Sequence, residues 1–193
     1  KSLSIRKQYK ESLSYLKESF THILIITIIF LAFILIGILS ADFISQFIDP
    51  IIKDIIDQTI GLSTTELILF ILQNNLQTSF FSYISGIAFG ILPIFITITN
   101  GIVIGYVINI ASSNLSTLTI LYSFIPHGIF EIPALLISLG LGLKFPGFIF
   151  AKRGKIIKEL KRRFYNSINI FLLIVLPLLI IAAIIEGILI ALI

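Results

Sequence analysis

Residues 23–40 read ILIITIIFLAFILIGILS, a run of eighteen residues without a single charge. A helix needs about 20 mostly apolar residues to cross the hydrocarbon core of a bilayer, which is about 30 Å thick. The run is longer than the roughly 7–15 apolar residues of a cleaved signal peptide, and Leu39-Ser40-Ala41 at its end is a poor cleavage site. We interpret it as a retained first transmembrane helix.

The rest of the chain has the same apolar character. Hydrophobic residues make up 57% of the 193 residues and charged residues only 12%, whereas about 25% of a soluble domain is charged. This composition excludes a soluble enzyme, a disordered chain and a secreted scaffold, and the absence of cysteine excludes Cys-based zinc and iron–sulfur sites. We expect residues 1–193 to form one all-α, polytopic domain of the cell membrane, with the lipid bilayer as its surroundings.

Four more apolar stretches are expected to cross the membrane, which gives about five transmembrane helices. As a single helix, residues 79–111 would be about 50 Å long and would overshoot the bilayer. We therefore expect a turn at Thr99-Asn100-Gly101, since Asn-Gly favours turns. The predicted spans after the first are residues 79–99, 100–111, 116–143 and 167–193.

The cations set the expected orientation. Five of the fourteen precede the first span and eight lie in residues 144–166. Basic segments beside transmembrane helices stay in the cytoplasm, so an even number of crossings, four, should separate these two, and the C-terminus should lie outside. The same distribution, with no recognition module, argues against a nucleic-acid partner.

Three segments are predicted to be amphipathic without spanning the membrane. They are a cytoplasmic helix in residues 1–21, an extracellular interfacial segment in residues 42–65, and a basic cytoplasmic loop or helix in residues 144–166. Such segments lie in the interface with their apolar side towards the acyl chains. The basic segment either binds anionic lipid or a partner, or carries its cations for topology alone, which is the simpler interpretation.

Residues 126–134, PHGIFEIPA, place two ionisable groups inside the predicted fourth span. His127 and Glu131 are four residues apart and so project from one helix face. Pro126 and Pro133 predict a break before His127, and broken spans form binding sites in many transporters. Three hypotheses stay open: a divalent metal site, with zinc favoured and a homodimer supplying four ligands; a hydrogen-bonded or proton-relay pair; or a purely structural role.

Other residues are candidates for polar or packing roles. Glu186 is a further ionisable group within a predicted span, which either reaches the outer water near the C-terminus or completes the His127–Glu131 site. The amides between residues 73 and 77, which include Asn74 and Asn75, either face the His127 site or are solvated at the interface. Small residues every four positions allow close helix packing in lipid. They are Ser82, Gly86 and Gly90 on the second span and Gly101 and Gly105 on the third. Because these two spans form a hairpin, packing within one chain is favoured over packing between chains.

Several of these strings together resemble the stage II sporulation protein M family of integral membrane proteins. They are Asn74-Asn75, Gly86-Ile-Ala-Phe-Gly90, Asn100-Gly101-Ile-Val-Ile-Gly105 and the PHGIFEIPA string, and the resemblance covers roughly residues 15–193. It implies a polytopic membrane protein, and the bacterial namesake belongs to the peptidoglycan-remodelling machinery of engulfment. By resemblance, His127 and Glu131 are the polar signature, with Asn74, Asn75, Asn100 and Gly101 as further positions. The short segment 42–65 departs from the family and carries no evident catalytic set.

Together these features favour a non-catalytic membrane scaffold that forms a homodimer or joins other membrane proteins. In this hypothesis His127 and Glu131 form an intramembrane site that chelates a divalent metal. One alternative is a small permease that uses the broken fourth span as its binding site. Another is a metal-dependent intramembrane hydrolase, although the sequence lacks the second histidine of a His-Glu-x-x-His motif.

Overall fold

The computed structural model describes residues 5–87, 90–114, 117–152 and 154–192, and at residues 5, 6, 87, 114, 117–125 and 127 it describes the backbone alone. Every regular element within these residues is helical, so the predicted all-α fold is confirmed. The α-helices are α1 (Ile5–Glu18), α2 (Phe20–Leu39), α3 (Ala41–Thr59), α4 (Thr64–Ile84), α5 (Ile91–Asn114), α6 (Thr117–Lys144), α7 (Ile156–Ile170) and α8 (Leu176–Ala191). Two 3₁₀ segments (Ser85–Ile87 and Phe145–Phe150) and a π-helical segment (Phe171–Val175) complete the fold.

The two basic segments of the sequence meet at one end of the helix bundle, which we call the basic end. Lys144, at the end of α6, is buried, with its Nζ 3.0 Å from Ser19 Oγ and 3.8 Å from the centre of the Tyr15 ring. Glu18 of α1 pairs with Lys144 at 3.6 Å and with Arg162 of α7 at 3.1 Å. The cytoplasmic location of this end stays a prediction.

Helix directions follow from the close contacts along the bundle. α2 and α5 run parallel, because Gly101 lies against Phe30 and Gly105 against Ile34. α4 runs antiparallel to the last helix, with Ile68 against Gly187 at one end and the Tyr83 hydroxyl 3.4 Å from the Phe164 carbonyl oxygen at the other. The chain therefore leaves the basic end in α2 and α5 and returns to it in α4 and α6.

The turn predicted at Thr99-Asn100-Gly101 is wrong, because α5 continues through all three residues. A Cβ at Gly101 would lie 2.9 Å from the carbonyl oxygen of Phe30, so the glycine faces α2 at close range. This packing outweighs the turn preference of Asn-Gly. The chain reverses instead after Ile84, where Gly90 adopts φ +76°, a conformation that favours glycine. The bounds predicted for the spans at residues 79–99 and 100–111 are therefore wrong, and the structure has α4 and α5 in this part of the chain.

The break predicted before His127 is also wrong, since α6 is one continuous helix through Pro126 and Pro133. Prolines are tolerated in membrane helices when neighbouring helices support the backbone. Here Ala134, Leu135 and Leu139 are buried against other helices of the bundle, so packing on several sides holds α6 straight enough to continue.

Four segments within the described residues are long and apolar enough to cross a membrane. They are Phe20–Leu39, Ile91–Ser113, Gly128–Phe150 and Ile156–Ala191. α4 has 21 residues and runs beside these helices, but amide side chains at positions 73, 74, 75 and 77 make it less apolar. The polytopic membrane fold is confirmed, while the count of about five spans, with α4 as the additional one, stays a prediction.

α3 lies at the end of the bundle opposite the basic end. The Tyr106 hydroxyl of α5 donates a hydrogen bond to the Asp49 carboxylate of α3. Phe43, Phe47 and Ile51 leave a broad apolar surface of α3 exposed. This amphipathic form fits the interfacial position expected for residues 42–65, which stays a prediction because the structure contains no bilayer.

Candidate functional site

Several polar side chains of α4 face the interior of the bundle. It begins with a capping box, in which Ser63 Oγ accepts a hydrogen bond from the Glu66 backbone N–H and the Glu66 carboxylate accepts one from the Ser63 backbone N–H. Asn75 and Ser79, four residues apart on one face, are both buried. Asn74 and Thr78 occupy the neighbouring stripe of the same helix.

These side chains meet α5 and α6 around a cavity of about 80 Å³, which we call the Glu131 cavity. It is lined by Asn74, Asn75, Thr78 and Ser79 of α4, Asn100 of α5, and Glu131 and Leu135 of α6. The structure thus brings four of the polar candidates from the sequence together. Sequence reasoning missed Thr78 and Ser79, although each lies four residues after an asparagine candidate and so shares its helix face.

The polar groups of this cavity include one unpaired donor and several oxygen atoms that can still accept a hydrogen bond. Asn75 is only 9% exposed, yet its Nδ2 has no hydrogen-bond partner among the described residues. Asn100 Nδ2 donates to the Ile96 carbonyl oxygen at 2.8 Å, which leaves the Asn100 side-chain oxygen available as an acceptor. Thr78 Oγ1 donates to the Asn74 carbonyl oxygen at 3.0 Å and can still accept a hydrogen bond. The cavity therefore offers one carboxyl group, an unpaired amide donor and several neutral oxygens.

The remaining ionisable candidates lie near the cavity without lining it. Glu186 of α8 is close enough to Glu131 for the two carboxyl groups to interact electrostatically. His127 lies on α6, one turn from Glu131, but its side chain is outside the described part of the structure. Among the described residues, no group of three or more His, Cys, Asp or Glu side chains is arranged to hold a metal ion.

The small residues singled out in the sequence lie at close contacts within the chain. A Cβ at Gly86 would overlap the Gly142 carbonyl oxygen of α6, and Ser82 lies against the same glycine. Gly105 approaches the backbone of α2 as closely, while Gly90 lies in the connection after α4 and not within a span. The close contacts thus join α4 and the 3₁₀ segment after it to α6, and α5 to α2, all within one chain as favoured from the sequence, although these glycines do not join α4 to α5. Gly142 of α6 also lies against Pro93 of α5, so contacts at this glycine help to hold together the three helices that surround the cavity.

Comparison with known proteins identifies the family of the chain. A family model described as Stage II sporulation protein M matches residues 26–189. The chain belongs to the stage II sporulation protein M family. The match includes each of the four helices that enclose the cavity or approach it, α4, α5, α6 and α8, so the family resemblance seen in the sequence is confirmed.

One relative of this family member is the uncharacterized protein MJ0793 of Methanocaldococcus jannaschii. The two are 34% identical over 121 residues, which is 60% of this chain and 66% of the relative. The match thus spans slightly less than two thirds of the length of that protein. No solved structure matches the chain significantly.

Proposed function

We propose that this member of the stage II sporulation protein M family binds a hard cation in the Glu131 cavity and acts as a small permease for it. One observation carries the proposal. A carboxyl group and three amide side chains, with two hydroxyl groups, converge on one cavity inside an otherwise apolar membrane bundle. Polar and ionisable groups are costly in that environment and commonly mark ion or substrate pathways.

The chemistry of the lining favours an alkali or alkaline-earth cation. Hard cations take oxygen ligands from carboxylates, amides and water, and all the ligand-type side chains of the cavity offer oxygen. One carboxylate with neutral oxygens balances a single positive charge, so Na⁺ is the first ion to test. A cavity of about 80 Å³ has room for an ion with a few waters, since a cavity of about 10–15 Å³ already holds one water.

The depth of the cavity supports transport. Asn74 and Asn75, Asn100 and Glu131 each lie near the middle of their helices. Many transporters bind their substrate near the bilayer midplane between packed helices. In this scheme Glu131 neutralises the ion, and the amides of Asn75 and Asn100 replace part of its hydration shell.

The other hypotheses from the sequence stay predictions. A divalent metal such as zinc at His127 and Glu131 requires the His127 side chain and at least one further ligand. A non-catalytic scaffold role and an intramembrane hydrolase activity are not favoured by a specific contact in the described residues. The proposed cation permease does not depend on His127.

Proteoliposomes that contain the purified protein test this function. We expect ²²Na⁺ uptake above that of empty liposomes, and loss of the uptake in Glu131→Gln. Glu66→Gln is the matched control, because it makes the same chemical change at an exposed helix cap and keeps the capping interaction. No uptake of Na⁺, K⁺ or Ca²⁺ by the wild type, or equal uptake by Glu131→Gln, would contradict the proposal.

A further inference from the structure

An unusual polar stripe lies on the outer surface of α4. Gln73 and Gln77 are both exposed, and neither side chain makes a hydrogen bond with another described residue. They are four residues apart, so they lie together on one face of the helix. Around them the same face carries Leu69 and Phe80, which are 58% and 43% exposed. We call these four residues the α4 amide face.

With α4 as the expected additional span, this face lies level with the hydrocarbon core of the bilayer. Ile68 lies against Gly187 near the end of α8, and the Tyr83 hydroxyl reaches the carbonyl oxygen of Phe164 in α7. Gln73 and Gln77 lie between these two levels, alongside the apolar segment Ile156–Ala191. The hydrocarbon core offers no partner for an amide, so two exposed glutamines there need a polar partner from protein.

We propose that a second copy of this chain covers the α4 amide face, with two α4 helices packed about a two-fold axis. A glutamine side chain carries both a donor and an acceptor, so Gln73 and Gln77 can pair with the same residues of a second copy. Such self-complementarity is what an isologous two-fold interface requires. Amide hydrogen bonds between helices are a known source of association in membranes.

The second copy also completes the Glu131 cavity. Asn74 lines that cavity and is exposed, so the cavity opens beside the α4 amide face. A second α4 packed on Gln73 and Gln77 would cover this opening and separate the Glu131 carboxyl group from lipid. The inference concerns the interface alone and does not depend on which ligand the cavity binds.

Cysteine cross-linking in native membranes tests the interface directly. The chain has no cysteine, so Gln73→Cys carries a single thiol. We expect oxidation with copper phenanthroline to give a covalent homodimer of Gln73→Cys. The control is Leu35→Cys, which is 61% exposed on α2 and should stay monomeric. Cross-linking of Leu35→Cys but not of Gln73→Cys, or of Gln73→Cys to a different protein only, would overturn the proposal.

A second variant tests the role of the amides without a covalent bond. Gln73→Leu combined with Gln77→Leu makes α4 more apolar, so the variant should insert and fold. We expect the wild type to be dimeric by size-exclusion chromatography with light scattering, and the double variant to dissociate at least tenfold more readily. Gln46→Leu, an exposed amide on α3, is the control and should stay dimeric. A monomeric wild type, or a double variant that dimerises as tightly as the wild type, would overturn the proposal.

Discussion

The side-chain amide of Asn75 in α4 and the carboxyl group of Glu131 in α6 line the same cavity. Asn75 is buried there with its Nδ2 unpaired among the described residues. Folded proteins pair nearly all of their buried polar groups, and an exception commonly marks a bound water or ligand. An unpaired N–H donor calls for an acceptor such as a bound water or the Glu131 carboxylate, whereas a cation in the proposed site is held by the Asn75 side-chain oxygen and that carboxylate. The roles of Asn75 and Glu131 can be tested one residue at a time.

Asn75→Leu should separate ligand binding from folding. In choline chloride, where no small cation is present, we expect the variant to be at least as stable as the wild type, because an unpaired buried amide costs about 1–3 kcal/mol. In NaCl the wild type should gain thermal stability by ligand linkage, and the variant should gain little or none. Thermal unfolding in the two salts at equal ionic strength measures both effects. A Na⁺-dependent gain of the same size in both proteins would remove Asn75 from the site.

Gly105→Ala should weaken the contact between α2 and α5. A Cβ at this position would overlap the carbonyl oxygen of Ile34, which belongs to the backbone and cannot move aside cheaply. Overpacking of this kind costs about 1–3 kcal/mol. Gly128→Ala is the control, because among the described residues its Cβ would have one neighbour within 4 Å, Ile132 Cδ1, at an ordinary 3.6 Å. Thermal unfolding in detergent should show a lower midpoint for Gly105→Ala alone, and equal midpoints for both variants would refute the packing described here.

Tyr15→Phe should leave the basic end intact or stabilise it at neutral pH. The buried Tyr15 and Ser167 hydroxyls have no hydrogen-bond partner of good geometry among the described residues, although they lie close enough to interact. The ring beneath the Lys144 ammonium group is retained by phenylalanine. Removal of the unpaired hydroxyl should therefore raise the free energy of unfolding by up to about 1–3 kcal/mol. Tyr9→Phe, at a position that is 47% exposed, should change it little.

The same substitution should change the dependence of stability on alkaline pH. Burial raises the pKa of the Tyr15 phenol above its ordinary value, with a smaller opposing effect of Ser167 and nearby arginines. The folded protein thus keeps this proton at pH values where the unfolded chain, with a pKa of about 10, has lost it. The stability that the raised pKa of Tyr15 contributes is fully present below pH about 10. It is lost as the pH rises through the pKa of the folded state. The difference in unfolding free energy between Tyr15→Phe and the wild type should therefore grow above pH about 10, and a constant difference would contradict the assignment.

Much of the fold followed from the sequence because bilayer thickness and charge are strong constraints. The apolar run of residues 23–40 predicted α2, and the distribution of cations predicted that the segments around Lys17 and Lys144 lie at the same end. The contact of Lys144 with Ser19 and Glu18 agrees with the second expectation. Helix boundaries between residues 79 and 111 were wrong, because the Asn-Gly preference at residues 100–101 is local while the packing of Gly101 on α2 is not.

The sequence predicted which kinds of side chain form the candidate site, but it identified only some of the residues. Asn74, Asn75, Asn100 and Glu131 were selected from the sequence, and the structure places them around one cavity. Their meeting could not be derived from local pattern, since α4, α5 and α6 come together through glycine contacts far apart in the chain. The prediction of a break at His127 was wrong. A proline in the sequence shows which backbone hydrogen bond is lost, but it does not show whether neighbouring helices support the helix at that point.

A single cysteine at position 78 tests the central claim, an ion-binding cavity inside the membrane bundle, most directly. Thr78 lines the cavity, whereas Leu31, near the middle of α2, is 55% exposed on the outer surface of the bundle. In proteoliposomes, we predict that Thr78→Cys reacts with a charged, membrane-impermeant methanethiosulfonate reagent, that Na⁺ slows this reaction, and that Leu31→Cys stays unreactive. A Thr78→Cys variant that is as unreactive as Leu31→Cys, or whose reaction is unaffected by any cation, would contradict the account.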